Sequence, residues 1–144
     1  MGEISQLAML CRYIAELEFS NLPFHVVDYA KLLVADHVIS AAAGYMYNRD
    51  FNTALTQIIS GEAGKGNSTV LFRDMKISPA AAAFVNAVYC HGADIDDGHR
   101  EAEAHPGVAV IAAVLACAED IAEKKQSKVF LQRYTPLFSA QAEL

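Results

Sequence analysis

The chain has 144 residues, of which 53% are apolar and 19% are charged, and its formal net charge is −6. This length favours one compact domain, and the composition is too apolar for a disordered chain. Its Lys and Arg residues form no basic stripe, which argues against nucleic acid as a partner. No apolar run reaches the roughly 18 to 20 residues of a membrane span, and the first ten residues lack a signal-peptide pattern. We therefore predict a cytoplasmic protein that does not enter membranes.

The first half of the chain is dominated by helical periodicity. Apolar residues at helical spacing predict an amphipathic helix over the first eighteen residues. Leu22 and Pro23 open a second, almost wholly apolar helix that runs to Gly44 and contains Asp36 and His37. Burying such groups unpaired would cost about 2 to 7 kcal/mol. We therefore expect both side chains to be bonded to a neighbouring helix rather than to hold a ligand.

A third helix and a loop follow. Asp50 is the predicted N-cap of a helix that ends at Gly61. The stretch "GEAGKGNS" is a glycine-rich loop that lacks the spacing of a Walker phosphate loop and follows a helix rather than a strand. The β-branched "STVLF" predicts an isolated extended segment before a turn at "RDMK".

Two further helices flank a polar stretch. Ser78 and Pro79 form a strong helix start, and that helix continues to about His91. His105 and Pro106 begin another apolar helix. The pattern predicts an all-α fold, a helical bundle over residues 1–125, followed by a C-terminal tail of residues 126–144 whose composition differs.

The polar stretch "HGADIDDGHREAEAHPG", residues 91–107, carries three histidines, three aspartates and two glutamates. It allows three interpretations: a metal site, an acid/base site for an organic anion, or a polar loop without chemistry. Competent metal ligands are His91, Asp94, Asp96, Asp97, His99 and His105. Their spacing matches no helical zinc register, and Arg100 occupies the last position of a D-D-x-x-D pattern. We predict no metal and no other cofactor.

The acid/base interpretation rests on His105, which precedes Pro106 and therefore falls at the N-cap of an apolar helix. The helix dipole disfavours an imidazolium there, which keeps a neutral base available. The free N–H groups of Gly107 and Val108 would offer a seat for a substrate carboxylate. Aspartates of the loop could orient His105 or Arg100 from the opposite wall.

Three segments carry a resemblance to a known family. They are "LPFHVVDYAKLLVADHVISAAAG", "TVLFRDMKISPAAAAFVNA" and "NAVYCHGADIDDGHREAEAHPGVAVIAAVLACAED", and they span about residues 4–124. The motif H-x-x-D-x-D-D, followed by H-P-G at a helix start, resembles the N-terminal part of the MmgE/PrpD family, the 2-methylcitrate dehydratase-like proteins.

That resemblance implies a helical domain with a separate α/β lid domain, and homodimers. It also implies a metal-independent lyase or isomerase that moves a proton next to a carboxylate of a small polycarboxylate, in dehydration, decarboxylation or epimerisation. By position, the family's active-site residues fall on Asp94 and His105, which are the predicted catalytic residues. Gly107, Val108 and Arg100 are the predicted substrate contacts. Some relatives have a Thr where this chain has Gly98.

The resemblance also implies segments that the matched stretch does not contain, namely more helices, the lid, catalytic lysines and a second histidine. We therefore expect a truncated member that holds the histidine and aspartate half of the site, without the lid. The alternative function is a non-catalytic helical remnant or assembly module. In either case the apolar helices predict a homo-oligomer.

Overall fold

The structure, a computed structural model, describes residues 5–125. Five α-helices carry most of this part of the chain: α1 (Gln6–Glu16), α2 (Phe24–Tyr47), α3 (Arg49–Ile59), α4 (Pro79–His91) and α5 (Pro106–Lys125). Single 3₁₀ turns lie at Phe19–Asn21 and Ser60–Glu62. The predicted all-α fold is confirmed. The predicted tail, residues 126–144, lies outside the described residues.

The core lies where α4 packs against both α2 and α5. Helix α4 is apolar over most of its surface because it meets neighbours on more than one side, whereas α2 also leaves apolar side chains exposed. A smaller cluster joins Ala30 of α2 to Ile111 and Val114 of α5. The buried residues of the main cluster are Ala41, Val70, Ile77, Ala82, Val85, Tyr89, Cys90 and Ala116.

Gly44 marks the crossing of α2 and α4 and not the end of α2. A Cβ atom built on Gly44 would lie 2.1 Å from the carbonyl oxygen of Tyr89 and 3.0 Å from Cα of Gly92. The two backbones can approach this closely only because neither position carries a side chain. The prediction that this helix ends at Gly44 is wrong for that reason, and α2 continues to Tyr47.

The predicted extended segment is present but shorter, and it is not isolated. Strand β1 (Ser68–Thr69) pairs antiparallel with β2 (Lys76–Ile77) across a tight turn. Ser68 donates its hydroxyl hydrogen to the carbonyl oxygen of Ala116 at 2.6 Å, which ties the hairpin to α5. Asn86 of α4 bonds the carbonyl of Thr69 and the N–H of Leu71, both at 2.9 Å. The hairpin therefore fixes the two helices that flank the polar loop.

The two helix starts that were predicted from a proline, those of α4 and α5, are confirmed. Helix α4 begins at Pro79 with Ser78 at the N-cap, and α5 begins at Pro106. The predicted cap at Asp50 is wrong, because α3 begins two residues earlier than predicted, at Arg49, with Asn48 at its N-cap. Asp50 lies instead in the first turn, where a carboxylate is favoured by the helix dipole.

Helix α1 contributes nothing to the core of the described chain. The Ser5 hydroxyl oxygen accepts from the N–H of Ala8 and caps it, but α1 has no buried residue. Its apolar face, with Leu7 71% and Met9 60% exposed, is open to solvent. Within residues 5–125, none of the helices combines the length and apolar character that crossing a membrane requires.

Candidate active site

The polar loop of residues 92–105 connects α4 to α5 and brings their ends together. His91 is the last residue of α4, and His105 is the residue before α5 begins. The backbone N–H of His99 donates to the carbonyl of Ala104 at 2.8 Å, which closes the second half of the loop into a turn. Because α4 and α5 pack side by side, this turn returns the chain to the end of α4. The two imidazole rings lie edge to face with centroids 4.9 Å apart.

Asp96 lies between these two histidines. Its side chain is fully buried, and Nδ1 of His91 lies 3.1 Å from Oδ1. Nδ1 of His105 lies 3.1 Å from Oδ2. A buried carboxylate needs donors or a positive charge to offset its lost hydration, and the two imidazoles supply them. Asp96 is therefore bound by the same nitrogen of both rings.

Asp94 lies on the other side of His105. Its Oδ1 is 3.7 Å from Nε2 of His105, and its side chain is 77% exposed. The backbone of Asp94 has φ 52°, a left-handed conformation that Asp adopts more readily than most residues. The structure thus brings together the two predicted catalytic residues, with the Asp94 carboxylate near the ring nitrogen that Asp96 leaves free.

At Gly107, the structure differs from the predicted binding position for a substrate carboxylate. Its N–H donates to Oδ2 of Asp97 at 3.1 Å, so a protein carboxylate already occupies this position. A Cβ on Gly107 would lie 2.1 Å from Oδ1 of Asp97, which explains the need for glycine there. The Gly107 N–H is therefore not free in this structure, because it holds the loop through Asp97, and the predicted substrate contact at Gly107 stays a prediction. The side chain of Val108 is partly buried and packs against the core, and the predicted substrate contact at Val108 stays a prediction.

Arg100 and His105 line one cavity of about 350 Å³, together with Gly98, His99, Glu103 and Ala104. Arg100 is exposed and is the one cationic residue between positions 91 and 107, apart from any protonated histidine. A guanidinium on the wall of the cavity that His105 also lines is suited to an anion. The predicted substrate contact at Arg100 therefore faces the same space as the predicted base.

The same cluster has the composition of a metal site. Ligand atoms of His91, Asp94, Asp96 and His105 all lie within 4.8 Å of one another. Imidazole nitrogens and carboxylate oxygens are common ligands of divalent ions. Spacing along the chain does not exclude a metal here, because the folded loop and not a helical register brings the ligands together. The prediction that no metal is bound stays a prediction.

A second cavity, of about 340 Å³, lies on the α2 side of the loop, where Asp36 and Asp97 share its wall with apolar side chains. Next to this region His37 is buried, and neither of its ring nitrogens has a hydrogen-bond partner among the described residues. Within that part of the chain, the expected bond from His37 to a neighbouring helix is therefore absent. Burial lowers the pKa of His37, and this effect exceeds the opposing attraction of Asp97, Asp96 and Asp36. The helix carries a neutral imidazole.

Comparison with known proteins identifies the family of this chain. The family model of the MmgE/PrpD N-terminal domain matches residues 8–135, so the chain belongs to the MmgE/PrpD family. The match includes residues 126–135, which lie beyond the predicted domain boundary. No solved structure matches the chain significantly.

Similar curated proteins are decarboxylases or resemble them. A cis-aconitate decarboxylase of Aspergillus terreus (strain NIH 2624) is 28% identical over 117 residues, which is 81% of this chain and 24% of that protein. A cis-aconitate decarboxylase-like protein of Aspergillus oryzae is 27% identical over 112 residues, 78% of this chain and 23% of its own length. The chain thus spans about a quarter of the length of the curated relatives it matches.

Sequence reasoning did not single out His91 and Asp96 from the other charged residues of the loop. Both belong to the H-x-x-D-x-D-D motif, so the signal was present. Their special positions follow from the packing of α4 on α5, which places the end of one helix beside the start of the other. A local pattern carries no information on that packing.

Proposed function

We propose that this chain provides the acid/base part of an MmgE/PrpD-type lyase or isomerase that acts on a small polycarboxylate by metal-independent proton transfer. The observation that carries the proposal is the position of His105. Its Nε2 lies 3.7 Å from Oδ1 of Asp94, and its ring borders the cavity that Arg100 also lines. His105 thus has a carboxylate beside its ring and a guanidinium on the cavity that it lines, and such groups suit proton abstraction next to a substrate carboxylate.

The chemistry follows from these groups. Neutral His105 takes a proton from the carbon next to a substrate carboxylate, and the electron pair of the broken C–H bond moves toward that carboxylate. In dehydration, a C–O bond then breaks and water leaves with the added proton. In epimerisation, a proton returns to the opposite face. Decarboxylation differs, because no C–H bond breaks first. The C–C bond to a carboxylate breaks to release carbon dioxide, its electron pair stays on the substrate, and His105, after taking a proton from solvent, gives that proton to the substrate carbon.

The charges of the loop restrict the substrate. Asp94 and the other loop carboxylates repel a polyanion, whereas Arg100 attracts it. Asp94 therefore contacts the substrate at a hydroxyl group or a proton and not at a carboxylate. A polycarboxylate needs further cations for its remaining charges, and these come from outside residues 91–107. Because the similar proteins are named for cis-aconitate decarboxylation, cis-aconitate is the first substrate to test.

The test compares the wild-type protein with His105→Ala in the presence of cis-aconitate, with products followed by ¹H NMR. A general acid or base contributes about 10² to 10⁴ in rate, so we expect a loss of that size. Glu101→Gln is the matched control, since Glu101 lies in the same loop and its side chain is 81% exposed. Equal progress curves for the wild type and His105→Ala would contradict the proposal.

The second candidate function is a helical assembly module without catalysis, and exposed apolar side chains favour it. Phe24 of α2 is 79% exposed, Ile58 of α3 is 80% exposed, and Leu32 and Ile39 of α2 are about two-thirds exposed. Large exposed apolar areas usually mark contact surfaces. This candidate predicts a homo-oligomer, whose mass light scattering would measure, and no turnover. A monodisperse monomer would contradict it.

A further inference from the structure

The carboxylate of Asp96 and the two histidines around it form a unit that the proposed function does not yet include. Oδ1 of Asp96 lies 3.1 Å from Nδ1 of His91, and Oδ2 lies 3.1 Å from Nδ1 of His105. The Asp96 side chain has no solvent exposure, whereas that of His91 is 51% exposed and that of His105 is 35% exposed. Each imidazole therefore covers the carboxylate with one edge and presents the other edge to solvent or to the cavity.

An ionised carboxylate only accepts hydrogen bonds, so any hydrogen in these two contacts resides on the imidazoles. Both neutral rings must then carry their proton on Nδ1, and both Nε2 atoms keep a lone pair. For His105, that lone pair lies on the side of Asp94. Nε2 is the nitrogen that a base needs to have free.

We propose that Asp96 is the positioning residue of this site, which binds His91 and His105 together by their Nδ1–H groups and so holds Nε2 of His105 unprotonated toward the substrate cavity. This inference rests on the proposed function for its catalytic consequence. The structural part, the protonation pattern of the two rings, does not depend on any reaction. His91 acts through Asp96, because without it the buried carboxylate keeps a single imidazole donor.

The structure contains an internal reference for the test. Nδ1 of His99 accepts a hydrogen bond from the backbone N–H of Ala102 at 3.1 Å. Neutral His99 must therefore carry its proton on Nε2, the opposite arrangement to the one proposed for His91 and His105. One spectrum of the same protein then contains both forms, and the comparison needs no external standard.

The experiment is long-range ¹H–¹⁵N NMR of histidine-labelled protein at a pH of about 8, where an ordinary histidine is neutral. Signals are assigned with His91→Gln, His99→Gln and His105→Gln. We expect protonated Nδ1 on His91 and His105 and protonated Nε2 on His99. Asp96→Asn should change the signals of His91 and His105 together, because it removes the negative charge that both rings face and replaces one acceptor oxygen by an NH₂ donor. Glu101→Gln should leave them unchanged.

Several results would overturn the inference. One is a wild-type spectrum in which His105 carries its proton on Nε2, and this result counts even if Asp96→Asn does not fold. Another is an Asp96→Asn protein that folds and keeps the wild-type signals of both rings. A third is Zn²⁺ that binds the wild type and moves the His91 and His105 signals together, because the Asp96 contacts would then be those of metal ligands.

The catalytic consequence is measured separately. In a preparation that turns over cis-aconitate, Asp96→Asn should lower kcat by about 10² or more with little change in KM, because it disturbs the base and not the substrate contacts. Its effect and that of His91→Gln should not add, since both act on one unit. Unchanged kcat would refute the positioning role. Absence of turnover in every preparation, with the expected NMR pattern, would refute the proposed function alone.

Discussion

Two carboxylates of this fold, Glu119 in α5 and Asp96 in the polar loop, each bind two donors, and the donors differ in kind. Glu119 accepts from the backbone N–H and the hydroxyl group of Thr69, at 2.7 and 2.8 Å. Asp96 accepts from two imidazoles that reach the surface. The donors of Glu119 are a backbone amide and a hydroxyl group, whereas those of Asp96 are imidazoles, the side chains that most often serve as general acids or bases. A carboxylate that fastens a hairpin and one that prepares a base are thus distinguished by their partners and not by their number of contacts.

Among the described residues, we expect the largest loss of stability from Gly44→Ala, which alters the crossing of α2 and α4. The new methyl group would meet the carbonyl oxygen of Tyr89, two residues before His91, at 2.1 Å, so α2 and α4 must separate. We expect the free energy of unfolding, measured by urea denaturation, to fall by about 3 kcal/mol. Gly61→Ala is the control, since its added methyl group would have no atom of the described residues within 4 Å. Equal stability of the two variants would contradict the close crossing.

Glu119→Gln tests whether Glu119 has a structural role that differs from the proposed role of Asp96. The change removes the charge that strengthens both hydrogen bonds to Thr69, so the free energy of unfolding should fall by about 1 to 2 kcal/mol. The rate with cis-aconitate should stay unchanged, because Glu119 lies on the hairpin side of α5. The comparison between the two carboxylates is wrong if Glu119→Gln lowers kcat as much as Asp96→Asn does.

His37 differs from His91 and His105, because it is a buried imidazole to which no carboxylate of the described residues is hydrogen-bonded. Burial lowers the pKa of His37 from its ordinary value of 6.5, so below that pH the unfolded chain binds this proton more readily than the folded protein. The free energy of unfolding should therefore fall as the pH decreases from 6.5 through the lowered pKa. His37→Leu should weaken this dependence, whereas His25→Gln, at an exposed position, should not. Parallel curves for wild type and His37→Leu would contradict the buried neutral state.

The smallest effect is expected for Gly98→Ala, at the rim of the proposed cavity. Within the described part of the chain, no atom lies within 4 Å of the added methyl group, and the stability should change by less than about 1 kcal/mol. Gly107→Ala is the contrast, because its methyl group would displace Asp97 from the start of α5. Thermal unfolding compares the two, and a loss of stability at position 98 as large as that at 107 would contradict the difference in packing.

Much of the fold follows from local signals in the sequence. Proline at the first helical position places the starts of α4 and α5, and apolar periodicity finds the helices. Gly44 resembles a helix end in the sequence, because a glycine that ends a helix and one that admits a neighbouring helix look alike along the chain. The second meaning is visible only once Tyr89 is placed against it.

The site was predictable to a smaller extent. The family resemblance pairs Asp94 with His105, and the structure brings them together, although their roles stay predictions. The shared contact of His91 and His105 on Asp96 depends on how α4 packs against α5, which no spacing encodes. The capture of the Gly107 N–H by Asp97 likewise depends on the path of the loop. Both features arise from tertiary packing.

The most direct test of the account is a crystal structure of the protein with cis-aconitate bound. We expect the anion in the cavity of His105 and Arg100, with a substrate carbon or its proton facing Nε2 of His105 and with Asp96 still bound to Nδ1. An anion bound elsewhere, or a cation ligated by His91, Asp94, Asp96 and His105, would contradict the account.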